Sequence, residues 1–231
     1  MENKYWPLSS RANKSFKTSG SDDTGVNTYT YNELGYRGDS STKNIDIMSI
    51  GCSHTEGIGV NDNETWPSFV AKTLNMTHIN MGFTGRSNDY ISRIVSDNIQ
   101  KFKPKILLVM YTYPSRREYW TKYGPQPFAT NPWGYFEDYP DKHKALTELQ
   151  SKESDYNNFL LNHKIITSSV ESSEFMLEHF IWNGTFTGYD YKDSKRFDGD
   201  YNIEYGKHAT ADQNKKYASD IVGYLQNSSY I

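Results

Sequence analysis

At 231 residues, with 25 Lys and Arg against 28 Asp and Glu, the chain carries a formal net charge of −3. That argues against the broad basic field of a nucleic-acid or anionic-membrane binder, and the length suits one large domain with a substantial core. A single cysteine, Cys52, excludes an internal disulfide and any multi-Cys zinc site. No apolar run approaches the ~20 residues of a membrane-spanning helix, and the N-terminal MENKYWPLSS lacks the apolar segment of a signal peptide. The expectations are a cytoplasmic protein with no nucleic-acid or membrane partner and no cofactor or metal. The sequence carries no signal for oligomeric state.

Met1 to Asp23 are polar and aperiodic, and are expected to form an N-terminal arm (1–23) on a single domain (24–231). Thr28 to Arg37, TYTYNELGYR, alternates Tyr and Thr before a turn at Gly35 and predicts an edge strand and loop. Asn44 to Gly51 predicts the first buried strand, with Ile45, Ile47 and Ile50 as its β-branched content. A helix is expected over Asn63 to Asn75. Trp66, Phe69, Val70 and Leu74 recur there at three- and four-residue spacing, and Pro67 falls in the first turn, where a missing N–H costs nothing. Met76 to Met81 predicts a second short strand. The turn NMGFTGRSN follows, then a helix from Ser87, its cap, to Phe102. Lys105 to Tyr111, KILLVMY, is the third strand and the most apolar stretch.

Thr112 to Asp141 is aromatic and proline-rich without a period, which predicts a long surface excursion walling a site. Lys142 to Glu178 is helical in character, with breaks available at Ser151 to Ser154 and Thr167 to Ser173. A fourth strand is expected over Phe180 to Phe186. The last helix is expected over Ala211 to Leu225, with Tyr217, Ile221, Tyr224 and Leu225 inward and Thr210 and Gln213 spaced as a capping box. Strands alternating with helices predict an α/β fold on a mainly parallel sheet.

Candidate chemistry concentrates in IDIMSIGCSHTEGIGV, Ile45 to Val60, where a strand's carboxyl end opens into a small-residue turn bearing Ser53. The turn is not a G-x-S-x-G elbow, since residue 55 is Thr and the next glycine is Gly57. Ser53 is a structural hydroxyl unless a base reaches it. His208, two residues before Thr210 in a loop held by a helix start, is the candidate base. The run Asp198, Asp200, Asn202, Glu204 opens like a calcium loop. Its sixth and twelfth positions are Ile203 and Ala209 instead of Gly and Glu, so it is not an EF-hand. Arg116 and Arg117 read either as a solvated charge pair with Glu118 or as a receptor for a carboxylate or sulfate. Tyr111, Tyr113, Trp120, Trp133 and Tyr135 either cover the core or stack on sugar rings.

GCSHTEG, NMGFTG and a late loop histidine, in that order, resemble the blocks of the SGNH (GDSL-type) hydrolase family. Gly51, Cys52, Ser53 and Gly57 resemble its first block. Asn80, Gly82 and Gly85 resemble its second, and His208 its last. The upstream NELGYR is similar to a lead-in of some relatives, so the likeness spans residues 31–102 and 196–225. The resemblance implies a three-layer α/β/α, flavodoxin-like sandwich. It also implies Ser53 as nucleophile, His208 as general base, and the N–H groups of Ser53 and Gly85 as oxyanion donors. The chain departs from the pattern in three places. Cys52 replaces the usual Asp. The third block, normally G-x-N-D, is YTYPSRRE, so Asn80, Thr112 or Ser115 would have to replace its Asn. The acid expected three residues before the His is Tyr205, leaving Asp200 or Glu204 to complete a triad, or Ser53 and His208 to act as a dyad. The implied activity is hydrolysis of a small acyl ester, such as an O-acetyl group on a carbohydrate, with Arg116 and Tyr113 against the substrate. Two alternatives stand beside it: a binding or assembly protein that keeps the fold without turnover, and an acyltransferase using the same residues.

Overall fold

The computed structural model describes residues 11–19, 26–38, 43–121, 124–128, 140–171, 176–181, 195–196 and 208–227. Its strands are β1 (Ser15–Ser19), β2 (Val26–Thr30), β3 (Ile47–Ile50), β4 (His78–Asn80), β5 (Ile106–Tyr111), β6 (Arg117–Thr121), β7 (Gly124–Phe128), β8 (Met176–Ile181) and β9 (Lys195–Arg196). Five of them form a parallel sheet in the order β4-β3-β5-β8-β9. Counted within the sheet this is the 2-1-3-4-5 order of flavodoxin-like folds, with its switch point between β3 and β5. The helices are α1 (Ser53–Glu56), α2 (Trp66–Leu74), α3 (Asn88–Phe102), α4 (Pro140–Leu149), α5 (Lys152–Glu171) and α6 (Ala211–Asn227).

Side-chain alternation along the strands builds two cores. Leu107, Val109 and Tyr111 of β5 join Met48 and Ile50 of β3, Ile91 and Val95 of α3, and Phe159 and Ile166 of α5. The alternate residues Ile106, Leu108 and Met110 join Ile47, Trp66 and Val70 of α2, and Tyr217 and Ile221 of α6. All six residues of β5 are therefore buried, as a strand covered on both faces must be. α3 packs on α5 and α2 on α6, which makes the expected three-layer α/β/α sandwich. The helix starts follow the expected chemistry. Thr65 caps α2 by accepting from Ser68 N, and Ser87 caps α3 by accepting from Tyr90 N. Thr210 N–H donates to Gln213 Oε1 at 2.8 Å while Gln213 N–H donates back to Thr210 Oγ1 at 3.4 Å.

Other boundaries are redrawn. The region expected as an unstructured excursion contains the antiparallel hairpin of β6 and β7. The helical run breaks at Gln150 and Ser151, where Ser151 and Ser154 each donate a backbone N–H to the other's hydroxyl at 3.1 Å. The fourth strand of the sheet begins at Met176 instead of Phe180, pairing along the whole of β5 from Ile106 to Tyr111; of the expected Phe180 to Phe186, residues 182–186 lie outside the described residues. Within the expected arm, Ser15–Ser19 is β1, paired with β2.

Candidate active site

β3 ends at Ile50, and Gly51 and Cys52 lead straight into α1, which Ser53 begins. The turn is tight. Thr55 and Glu56 N–H donate to Cys52 O, and Gly57 and Ile58 N–H donate to Ser53 O, all within 2.9–3.1 Å. A Cβ on Gly51 would fall 2.1 Å from Thr55 Oγ1, and one on Gly82 would fall 2.3 Å from Glu56 N. Glycine at both positions lets the strand end, α1 and the turn after β4 approach closer than a side chain permits. Asn80 closes this seam, donating from Nδ2 to Thr55 O at 2.7 Å and accepting the Gly82 N–H at Oδ1 at 3.0 Å. Ser53 is 6% exposed.

Ile50 lies opposite Val109. The chain therefore leaves β3 for Ser53 and leaves β5 for Thr112 at the same, carboxyl end of the sheet, between two neighbouring parallel strands. This is the switch point, where open α/β sheets receive ligands. Thr112 is buried and held by Asn88 of α3: its N–H donates to Asn88 Oδ1, and its C=O accepts from Asn88 Nδ2, each at 3.0 Å. Its hydroxyl accepts from Arg116 Nη1 at 3.0 Å, and the Arg116 guanidinium lies 5.2 Å from the centre of the Tyr113 ring. The expected solvated pair of Arg116 and Arg117 with Glu118 is not formed. Arg93 grips both Glu118 oxygens at 3.0 Å, and Arg117 pairs with Asp155 at 3.1 Å.

From Met81 to Arg86 the backbone N–H groups are committed one after another. Met81 donates to Ser49 O, Gly82 to Asn80 Oδ1, Phe83 to Gly51 O, Thr84 to Glu56 Oε2 and Arg86 to Phe83 O. Gly85, at φ +74, is the exception: among the described residues its N–H makes no hydrogen bond, and neither does that of Ser53.

His208 sits half-buried just before α6, its ring centroid 5.2 Å from that of His54, the residue after Ser53. Burial, and after it the Arg116 charge, holds the His208 pKa below its ordinary value, while Glu56 pulls the other way. His54 is pushed down to about 3 by burial, then by His208 and Arg116. Both imidazoles are therefore neutral near pH 7, the form that accepts a proton. Ser53 and His208 are brought to one edge of the sheet, but among the described residues no hydrogen bond joins their side chains. Asp200 and Glu204 lie outside the described residues.

Three residues around the turn were not read from the sequence as site residues. Glu56 is 1% exposed, and its Oε1 accepts from Arg11 Nη1 at 2.9 Å and Tyr31 OH at 3.0 Å. Its Oε2 accepts from the N–H and hydroxyl of Thr84, so one carboxylate ties the N-terminal segment, α1 and the second-block turn together. Arg37, the last residue of NELGYR, is also 1% exposed. It donates to Glu56 O at 2.9 Å, to Gly57 O and Val60 O, and to Asp62 Oδ1 at 2.7 Å. Asn88 holds Thr112 as described. The signals were an acid within GCSHTEG and an arginine ending a turn motif, whose partners no local pattern reveals. Among the described residues no group of three or more His, Cys, Asp or Glu is arranged to hold a metal ion, and no helix is long and apolar enough to cross a membrane.

No protein-family model and no curated protein matches the chain. Solved structures do. A carbohydrate esterase whose active site displays divergent catalytic and non-catalytic binding functions shares 10% identity over 84% of this chain and 69% of its own, with a TM-score of 0.50. An acetyl xylan esterase from Butyrivibrio proteoclasticus shares 10% over 84% and 67%, at 0.41. A protein described as lipolytic and of the G-D-S-L family, from Desulfitobacterium hafniense DCB-2, shares 12% over 81% and 74%, at 0.40. At these identities the likeness is one of fold. With a parallel 2-1-3-4-5 sheet and a serine turn directly after its first strand, the chain has the fold of the SGNH (GDSL-type) hydrolases.

Proposed function

We propose that the chain is a serine esterase that hydrolyses a small acyl ester through an acyl-serine intermediate. Ser53 Oγ attacks the acyl carbon as His208 takes its proton. The carbonyl oxygen becomes an oxyanion facing the N–H groups of Ser53 and Gly85. Collapse breaks the ester bond, and His208 returns the proton to the departing alcohol. Water then attacks acyl-Ser53 by the same steps and releases the acid. The observation that supports this reading is a buried serine that starts a helix at the switch point with its N–H unbonded among the described residues, together with Gly85, the one uncommitted N–H of the Met81 to Arg86 turn. A sugar hydroxyl as leaving group is supported by the exposed Trp120 of β6, a ring of the kind that packs on sugars. A carbohydrate is also what the esterase neighbour acts on.

The test is turnover of p-nitrophenyl acetate with labelling by a fluorophosphonate probe. Wild type is expected to turn over and label; Ser53→Ala is expected to lose labelling and at least about a thousandfold in rate. Equal turnover by both proteins ends the assignment. A binding protein without turnover is a second reading, favoured by the lack, among the described residues, of a hydrogen bond between the Ser53 and His208 side chains and by the missing third-block Asn. It requires an unlabelled Ser53 in wild type. An acyltransferase would use the same residues, with transfer to a sugar acceptor visible in the products.

A further inference from the structure

We infer that the site takes an ester whose alcohol carries a carboxylate, an O-acylated sugar acid in the carbohydrate case, and that Arg116 receives that carboxylate. The inference rests on the esterase reading for the position of the acyl group, and on the following geometry for the charge. Four arginines around the site each pair with a carboxylate: Arg11 with Glu56, Arg37 with Asp62, Arg93 with Glu118 and Arg117 with Asp155. Arg116 has none among the described residues. Its hydrogen bond there runs to the hydroxyl of Thr112, just past the carboxyl end of β5. The guanidinium presents five N–H donors in a planar fork, so a face of it is left for a ligand, and the Tyr113 ring beside it limits its orientation.

A half-buried cation without a counter-ion is costly. A carboxylate met by two parallel N–H···O bonds offsets that cost, and a guanidinium matches it better than an ammonium does. Arg116 is bonded at the carboxyl end of the sheet where the serine turn also lies, and its charge acts on both His54 and His208, so the carboxylate and the scissile ester belong to one small molecule.

The experiment compares two matched substrates, the methyl glycosides of glucuronate and glucose acetylated on the same ring hydroxyl, which differ only at C6, carboxylate in one and hydroxymethyl in the other. Wild type is expected to favour the acid in kcat/KM by about tenfold to a hundredfold, the range of a charged hydrogen-bonded contact. Arg116→Gln is expected to bring the ratio close to one, and Arg116→Lys to recover part of it. Because the ratio compares substrates on one protein, any general loss of activity cancels. A ratio near one in wild type, or one that Arg116→Gln leaves unchanged, overturns the inference. Calorimetric binding of the same pair to Ser53→Ala, with and without Arg116→Gln, reads the contact without turnover. Preferential, Arg116-dependent binding of the acid by a protein whose Ser53 never labels would sink the esterase reading and keep the anion site. A labelled Ser53 with equal binding would do the reverse.

Discussion

His208 carries two opposed influences that can be separated one residue at a time. Burial and the Arg116 charge lower its pKa, and the Glu56 carboxylate raises it. A general base works while it is neutral, so a lowered pKa extends activity toward acid. The acidic limb of kcat/KM for a neutral ester is expected below 6.5, the ordinary histidine value. Arg116→Gln removes a positive charge that opposes protonation, so the His208 pKa rises and the limb moves to higher pH. Glu56→Gln removes a negative charge that favours protonation, so the limb moves to lower pH. A pH–rate series on p-nitrophenyl acetate reads both. Shifts of the same sign in the two variants would show that His208 is not the group being titrated. Pattern made Ser53 and His208 legible as candidates because each stands at an element boundary, while Gly85 is reached only through the family resemblance. Pattern hid Glu56 and Asn88, because their roles consist of partners that are distant in the chain: Arg11 and Tyr31 for the first, Thr112 for the second.

The elements around the serine turn depend on close backbone approach more than on side-chain bulk. A methyl at residue 82 would meet the Glu56 backbone N at 2.3 Å, and backbone cannot swing aside as a side-chain end can. Gly82→Ala is therefore expected to cost about 1–3 kcal/mol, the usual penalty of overpacking, and to displace the N–H groups on either side of the turn. Thermal unfolding should show the loss, and fluorophosphonate labelling of the folded protein should slow. A stable variant that labels at the wild-type rate would mean the contact between α1 and the second-block turn is not needed to hold Ser53. The buried strands were legible because β5 is apolar throughout and must be covered on both faces. The β6–β7 hairpin was not. β7 reads GPQPF, and two prolines argue against a strand. Their spacing of two puts both missing N–H groups on one edge, so the other edge still pairs with β6, with Pro125 opposite Trp120 and Pro127 opposite Glu118. Composition without register could not distinguish that case from a loop.

At the scale of the whole molecule, the loop that holds the candidate base is fastened to a helix from the first half of the chain. Asn214 of α6, 1% exposed, accepts the Trp66 N–H at Oδ1 at 3.0 Å, and its Nδ2 donates to Ala209 O at 3.2 Å and Thr210 O at 2.9 Å. One amide thus joins the start of α2 to the residue that follows His208, and the Trp66 and Tyr217 rings meet edge to face beside it, 5.7 Å apart. The capping box at Thr210 orders the helix start, and Asn214 ties that start to α2 by hydrogen bonds. Asn214→Ala leaves the Trp66 N–H and the Ala209 carbonyl buried without this partner, at about 1–3 kcal/mol for each group left unsatisfied. The melting temperature should fall accordingly. Loss of stability alone would leave turnover per folded molecule unchanged. If the amide also positions His208, turnover per folded molecule falls at 25 °C while Ser53 still reacts with the probe at a reduced rate. Lower stability with unchanged turnover per folded molecule would confine Asn214 to holding the two helices together.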